Sequence, residues 1–111
     1  MITSSTVKLG VIGNPILHSL SPEIHNNWYK EESINAIYLA YKINENKLKE
    51  AVSFFNNADF LGLNVTAPFK ETILPFIDEL DELSSKVMAV NTVKFVDKKI
   101  YGYNTDVYGF I

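Results

Sequence analysis

Four short polar blocks in this chain carry residue types that can hold a small anion and move a proton. The run Asn64-Val65-Thr66-Ala67-Pro68-Phe69-Lys70 brings an amide, a hydroxyl and an ammonium together where a buried strand is expected to end and a helix to begin. In an α/β sheet that edge is the usual place for a ligand. Asn64 and Thr66 alternate along the strand end, so their side chains point to the same side; turn chemistry is the plain alternative for both. Lys70 falls in the first turn of the predicted helix. A cation there sits against the positive end of the dipole, a disfavoured placement that points to a residue retained for a task such as proton exchange. A solvated surface lysine is the alternative.

The second block is the loop over residues 14–21. Ser19 and Ser21 precede the helix start Ser21-Pro22-Glu23, with Pro at the first helical position and an acid near the positive end. Either both hydroxyls reach one carboxylate or phosphate at the helix N-terminus, or Ser21 caps the helix and Ser19 is simply loop. The third block is Asn91-Thr92, behind an apolar run, where Asn91 faces a ligand or satisfies backbone. The fourth is Asn104-Thr105-Asp106, where Asp106 is an N-cap by default and would form a proton-transfer pair if it approached Lys70.

Periodicity supplies the elements that must carry these blocks. Residues 7–12 read as a buried strand after a loose lead-in over residues 1–6. A helix follows from Ser21 to about Glu32, with Ile24 and Trp28 expected on its inner face. A strand over 37–43 comes next, then an amphipathic helix over 44–57 with Leu48, Ala51, Val52 and Phe55 on one face. A strand over 60–65 leads to a helix near Pro68 that Pro75 should end or kink. A short helix fits between Asp78 and Met88. Strands over 89–96 and 100–103 form a hairpin around Asp97-Lys98-Lys99. This order implies an α/β, three-layer domain with a mostly parallel mixed sheet, helices on both faces and one antiparallel hairpin near the C-terminus.

Composition narrows the function classes. The 111 residues suit one domain. There is no cysteine, hence no thiol nucleophile, disulfide or Cys-type zinc site. Ten basic against thirteen acidic residues give a net charge of −3, without any arginine or basic run, so nucleic-acid binding is disfavoured. The apolar run at residues 9–12 is too short for a signal core or membrane span, which reads as a cytoplasmic protein. His18 and His25 lack a third ligand at metal spacing, so no metal is expected. Gly10-Val11-Ile12-Gly13 is not a G-x-G-x-x-G fingerprint, and no P-loop or nucleophile elbow is present.

In order, the blocks Gly13-Asn14-Pro15, His18-Ser19-Leu20-Ser21-Pro22, His25-Asn26, Asn64 to Lys70, Ala89-Val90-Asn91-Thr92 and Gly102-Tyr103-Asn104-Thr105-Asp106 with Gly109-Phe110 resemble the shikimate dehydrogenase family. The resemblance implies the N-terminal substrate-binding domain over residues 1–111, with the NADP-binding Rossmann domain absent from this chain. It implies reduction of 3-dehydroshikimate to shikimate with NADPH, in aromatic amino-acid biosynthesis. It makes Ser19 and Ser21 the hydroxyls on the substrate carboxylate and Thr66 a further contact. Asn64, Asn91 and Asp106 become the partners of the ring hydroxyls, and Lys70 with Asp106 the catalytic pair. By the same resemblance Lys70 handles the proton on the C3 oxygen while nicotinamide delivers hydride to C3. The longer enzyme could be a homodimer, and these 111 residues alone should be inactive. Rival readings are a quinate/shikimate dehydrogenase that accepts NAD, and a non-catalytic binding module for a cyclohexene carboxylate. Two departures stand out: Met88 occupies a place where the family commonly has Gly, and the family's later Gln contact lies outside this stretch.

Overall fold

The computed structural model of the chain describes residues 2–105. Its elements run β1 (Val7–Gly13), α1 (Ser21–Glu31), β2 (Ala36–Lys42), a 3-10 turn (Glu45–Lys47), α2 (Leu48–Asn57), β3 (Gly62–Val65), α3 (Phe69–Thr72), a second 3-10 turn (Leu74–Phe76), β4 (Glu79–Leu80), α4 (Glu82–Val87), β5 (Thr92–Val96) and β6 (Lys99–Tyr103). Among the described residues the strands form one six-stranded sheet in the order β2-β1-β3-β5-β6-β4. β1 pairs parallel with β2 and β3, and β4 parallel with β6. β5 runs against both of its neighbours, β3 and β6.

Alternation along β1 sends neighbouring side chains to opposite faces. Ile12 joins Leu48, Val52 and Phe55 of α2 and Phe69 and Ile73 near α3 in one core. Val11 joins Tyr29 of α1 and Tyr38 of β2 in a second core on the other face. Helices therefore lie on both faces, as the pattern predicts. The hairpin is also present. Its loop residues Asp97 and Lys98 both have positive φ, 51° and 66°, the backbone a two-residue turn of matching twist requires.

Several local expectations are corrected. Ile24 and Trp28 point outward, 64% and 53% exposed, while Tyr29 is the buried residue of α1. The helix docks through Asn26, whose amide donates to Tyr38 O at 2.7 Å and accepts Tyr38 N–H at 2.8 Å. This pairing with the open edge of β2 turns the helix away from the apolar stripe that periodicity alone selects. The short helix expected between Asp78 and Met88 is present as α4, which Asp81 starts by accepting the N–H of Ser84 at 2.9 Å; the unexpected part is the two-residue strand β4 before it. The helix after Pro68 is a single turn ending before Pro75, so Lys70 sits on much less helix dipole than a long helix would supply. The lead-in is tied down: Thr6 is buried and donates to Asn35 Oδ1 at 2.7 Å.

Candidate functional site

The polar blocks converge at one end of the sheet. β1 and β3 run parallel and end there, and β5, running the other way, begins there. Backbone bonds stitch the segments together: Thr66 N–H to Ile12 O at 3.0 Å, Asn14 N–H to Ala67 O at 3.1 Å, Val65 N–H to Asn91 O at 2.8 Å, and Val90 N–H to Lys70 O at 2.8 Å. Gly13 permits the close approach, since a Cβ there would lie 2.5 Å from Thr66 Cγ2.

Ser19, Ser21 and Thr66 line one cleft of about 360 Å³, together with Val11, Pro15, Ile16 and His18. Ser21 is not an N-cap. It is the first helical residue, Leu20 holds the cap position without a side-chain bond, and the Ser19 hydroxyl accepts Ser21 N–H at 3.3 Å. Asn64 lies beside this cleft on the same face of the sheet, in a groove of about 240 Å³ shared with Leu9, Tyr38, Thr92 and Tyr103. Larger hollows of about 630 and 670 Å³ lie by the end of α1 and at the far end of the sheet. Neither gathers any of the candidate site residues Ser19, Ser21, Asn64, Thr66, Lys70 or Asn91, so the smaller cleft is the better candidate on chemistry.

Lys70 is half-buried at the second residue of α3, and its backbone bond to Val90 sets it next to Asn91. Asn91 uses its side chain on the following strand end. It donates to Thr105 Oγ1 at 2.9 Å and accepts Thr105 N–H at 3.0 Å and the Thr92 hydroxyl at 2.9 Å. Asn104 is buried and donates to Ala89 O at 3.1 Å. Both contacts bind the segment that leads to Asp106; Asp106 itself lies outside the described residues. Among the described residues no three His, Cys, Asp or Glu groups gather as a metal site, and no helix is long and apolar enough to cross a membrane.

The family model for the shikimate dehydrogenase substrate binding domain matches residues 11–93. The chain belongs to this family. It is 47% identical to the shikimate dehydrogenase (NADP(+)) of Aquifex aeolicus (strain VF5) over 111 residues, all of this chain and 41% of that protein. The crystal structure of the Aquifex aeolicus shikimate dehydrogenase superposes with a TM-score of 0.94 at 47% identity, covering 99% of this chain and 41% of that one. A shikimate 5-dehydrogenase from Listeria monocytogenes, in complex with shikimate and NAD, superposes with a TM-score of 0.93 at 37% identity, covering 98% of this chain and 38% of that one. The chain thus spans well under half the length of these relatives.

β1 ends at Gly13-Asn14-Pro15, and a loop separates it from α1. A glycine-rich turn opening directly into a helix, the arrangement that seats a pyrophosphate, is not formed there.

Sequence reasoning missed Tyr38. It is buried at 2% exposure and its hydroxyl donates to Asn64 Oδ1 at 2.7 Å. Burial first, and then nearby Tyr29, push its phenol up to about 12, with the Ser21 side chain pulling the other way. The available signal was strand parity, which puts Tyr38 on the same face as Ala36 and thus towards α1. Its reach across β1 depends on the register, Leu9 opposite Tyr38 and Val11 opposite Asn64.

Proposed function

We propose that this chain is the substrate-binding domain of an NADP-dependent shikimate dehydrogenase, which interconverts 3-dehydroshikimate and shikimate in aromatic amino-acid biosynthesis. The observation that carries the reading is the convergence of Ser19, Ser21 and Thr66 in one cleft, with Asn64, Lys70 and Asn91 around it. The two serine hydroxyls and the start of α1 hold the substrate carboxylate. Thr66 and the amides of Asn64 and Asn91 meet ring oxygens. Lys70, with Asp106, handles the proton on the C3 oxygen, where an ammonium stabilises the negative charge that builds during reduction. NADP belongs to the same reading as the cofactor of the longer enzyme, bound by residues outside this chain. The domain boundary at residues 1–111, a cytoplasmic location and a homodimer of the longer enzyme are further parts of it.

A second reading, a quinate/shikimate dehydrogenase accepting NAD, draws support from the Listeria monocytogenes neighbour in complex with shikimate and NAD. The choice between the two rests on residues beyond this chain.

Titration of the 111-residue chain with shikimate, followed by NMR, tests the site. Shifts are expected at Ser19, Ser21, Asn64, Thr66 and Asn91. Shifts confined to other surfaces would refute the assignment. Addition of NADPH and shikimate to this chain alone should give no turnover, and turnover would overturn the division into two domains.

A further inference from the structure

Tyr38 links two arms of the site: it lines the groove that holds Asn64, and its hydroxyl also meets the Ser21 side chain. Its ring stacks on His25, with centroids 4.1 Å apart and planes within 7°. His25 Nδ1 lies 2.8 Å from Ser21 O, which ties that ring to the first residue of α1. Its backbone is clamped at both N and O by Asn26 of the same helix. On the other side its hydroxyl donates to Asn64 Oδ1 at 2.7 Å, reaching over β1 to the end of β3. A buried tyrosine hydroxyl needs a partner, and the partner here is the side chain of a candidate ligand residue.

An asparagine amide has one accepting end and one donating end. With Oδ1 occupied by Tyr38, Nδ2 is the end left to the groove. We propose that Tyr38 is a positioning residue, whose hydroxyl locks the Asn64 amide with Nδ2 outward so that this wall of the site selects a ligand oxygen able to accept a hydrogen bond. The inference rests on the reading of the cleft as a shikimate site. Burial keeps the phenol protonated through the neutral range, so it remains a donor to Asn64 there. Tyr38 moves no proton of the substrate; it acts through Asn64.

A double-mutant cycle on the 111-residue chain tests this, with shikimate as the probe and the Asn64 side-chain amide correlation followed by NMR. Tyr38→Phe keeps the ring stack and removes the donor. It should raise the shikimate Kd about tenfold, the upper range for one lost hydrogen bond, and move the Asn64 correlation in the free protein. In an Asn64→Ala background the same change should alter Kd less than twofold, because the group it positions is gone. Equal losses in both backgrounds, or an unchanged Kd with an unmoved Asn64 correlation, would overturn the role. Should Tyr38→Phe not fold, the wild type decides: Overhauser contacts from Asn64 Nδ2 protons to bound shikimate support it, and contacts to the Tyr38 hydroxyl instead defeat it. Failure of the wild type itself to bind shikimate would show up before any variant is made, and would overturn the functional reading together with this role.

Discussion

Asn91 and Thr105 are tied by two hydrogen bonds of opposite sense: Asn91 Nδ2 donates to Thr105 Oγ1 at 2.9 Å, and Thr105 N–H donates to Asn91 Oδ1 at 3.0 Å. One side chain at the start of β5 thereby fixes the segment that follows β6. Removing it should loosen that segment more than it loosens the fold. Asn91→Ala is expected to cost about 1 kcal/mol of stability. It should also speed hydrogen exchange at Thr105 N–H, with the β5–β6 amides unchanged. Unaltered exchange at Thr105 would refute the tie.

Gly13 and Thr66 set how closely the ends of β1 and β3 approach. A methyl group at Gly13 would press on Thr66 Cγ2, Ile16 Cδ1 and Ala67 O. Gly13→Ala should destabilise the protein by about 1–3 kcal/mol and weaken shikimate binding, because Thr66 has to move. Thermal unfolding and titration measure the two effects separately. Unchanged affinity in a folded variant would mean that Thr66 is not a ligand contact.

Met88 ends α4 in the left-handed region, with φ 56° and ψ 45°, and is 57% exposed. A side chain there carries strain that glycine avoids. Met88→Gly should therefore stabilise the protein by about 1 kcal/mol, seen as a higher unfolding temperature. A lower one would show that the Met88 side chain contributes packing that outweighs the backbone strain.

Asp81 caps α4. Burial raises its carboxyl, but hydrogen bonds from Ser84 and from the Asn104 backbone outweigh it and hold the group below the usual carboxylate range. A lowered folded value gives stability that is fully present above the unfolded value, about 4. That stability is lost as pH falls through the folded value. The unfolding temperature should fall in this acid window, and fall less in Asp81→Asn, which can still cap but does not titrate. Asp81→Ala should cost about 1 kcal/mol at neutral pH. Equal acid sensitivity in the wild type and Asp81→Asn would exclude this carboxyl as a source.

Under the proposed function, Lys70→Ala in the longer enzyme should lower kcat far more than it raises KM, as expected for a group whose interaction grows in the transition state. Steady-state kinetics on shikimate measures the split. A rise in KM at constant kcat would make Lys70 a binding residue instead.

The sequence carried the architecture well where periodicity was strong. Leu48, Val52 and Phe55 are buried on one face of α2, and the turn at Asp97-Lys98 is where the hairpin was expected. It misled where a polar residue outranked an apolar one. Asn26 decides the face of α1 by pairing with a strand edge, and no hydrophobic pattern encodes that choice. β4 was missed because two residues carry no period. At the site, Ser19, Ser21 and Thr66 were legible as residue types and converge in space. Tyr38 was not, because its role depends on strand order and register, which lie outside any local window.

The interleaved strand order has a consequence for how the protein acquires its cleft. The β5–β6 hairpin must dock on β3 before Asn91 can stand beside Val65 and Lys70. The contributing segments are far apart along the chain, and such non-local pairings form slowly. Ligand competence should therefore mature only when the whole sheet has closed, even if α1 and the β1–β2 pair form early. In a refolding experiment, recovery of binding would then serve as a clock for the docking of the hairpin on β3 rather than for collapse.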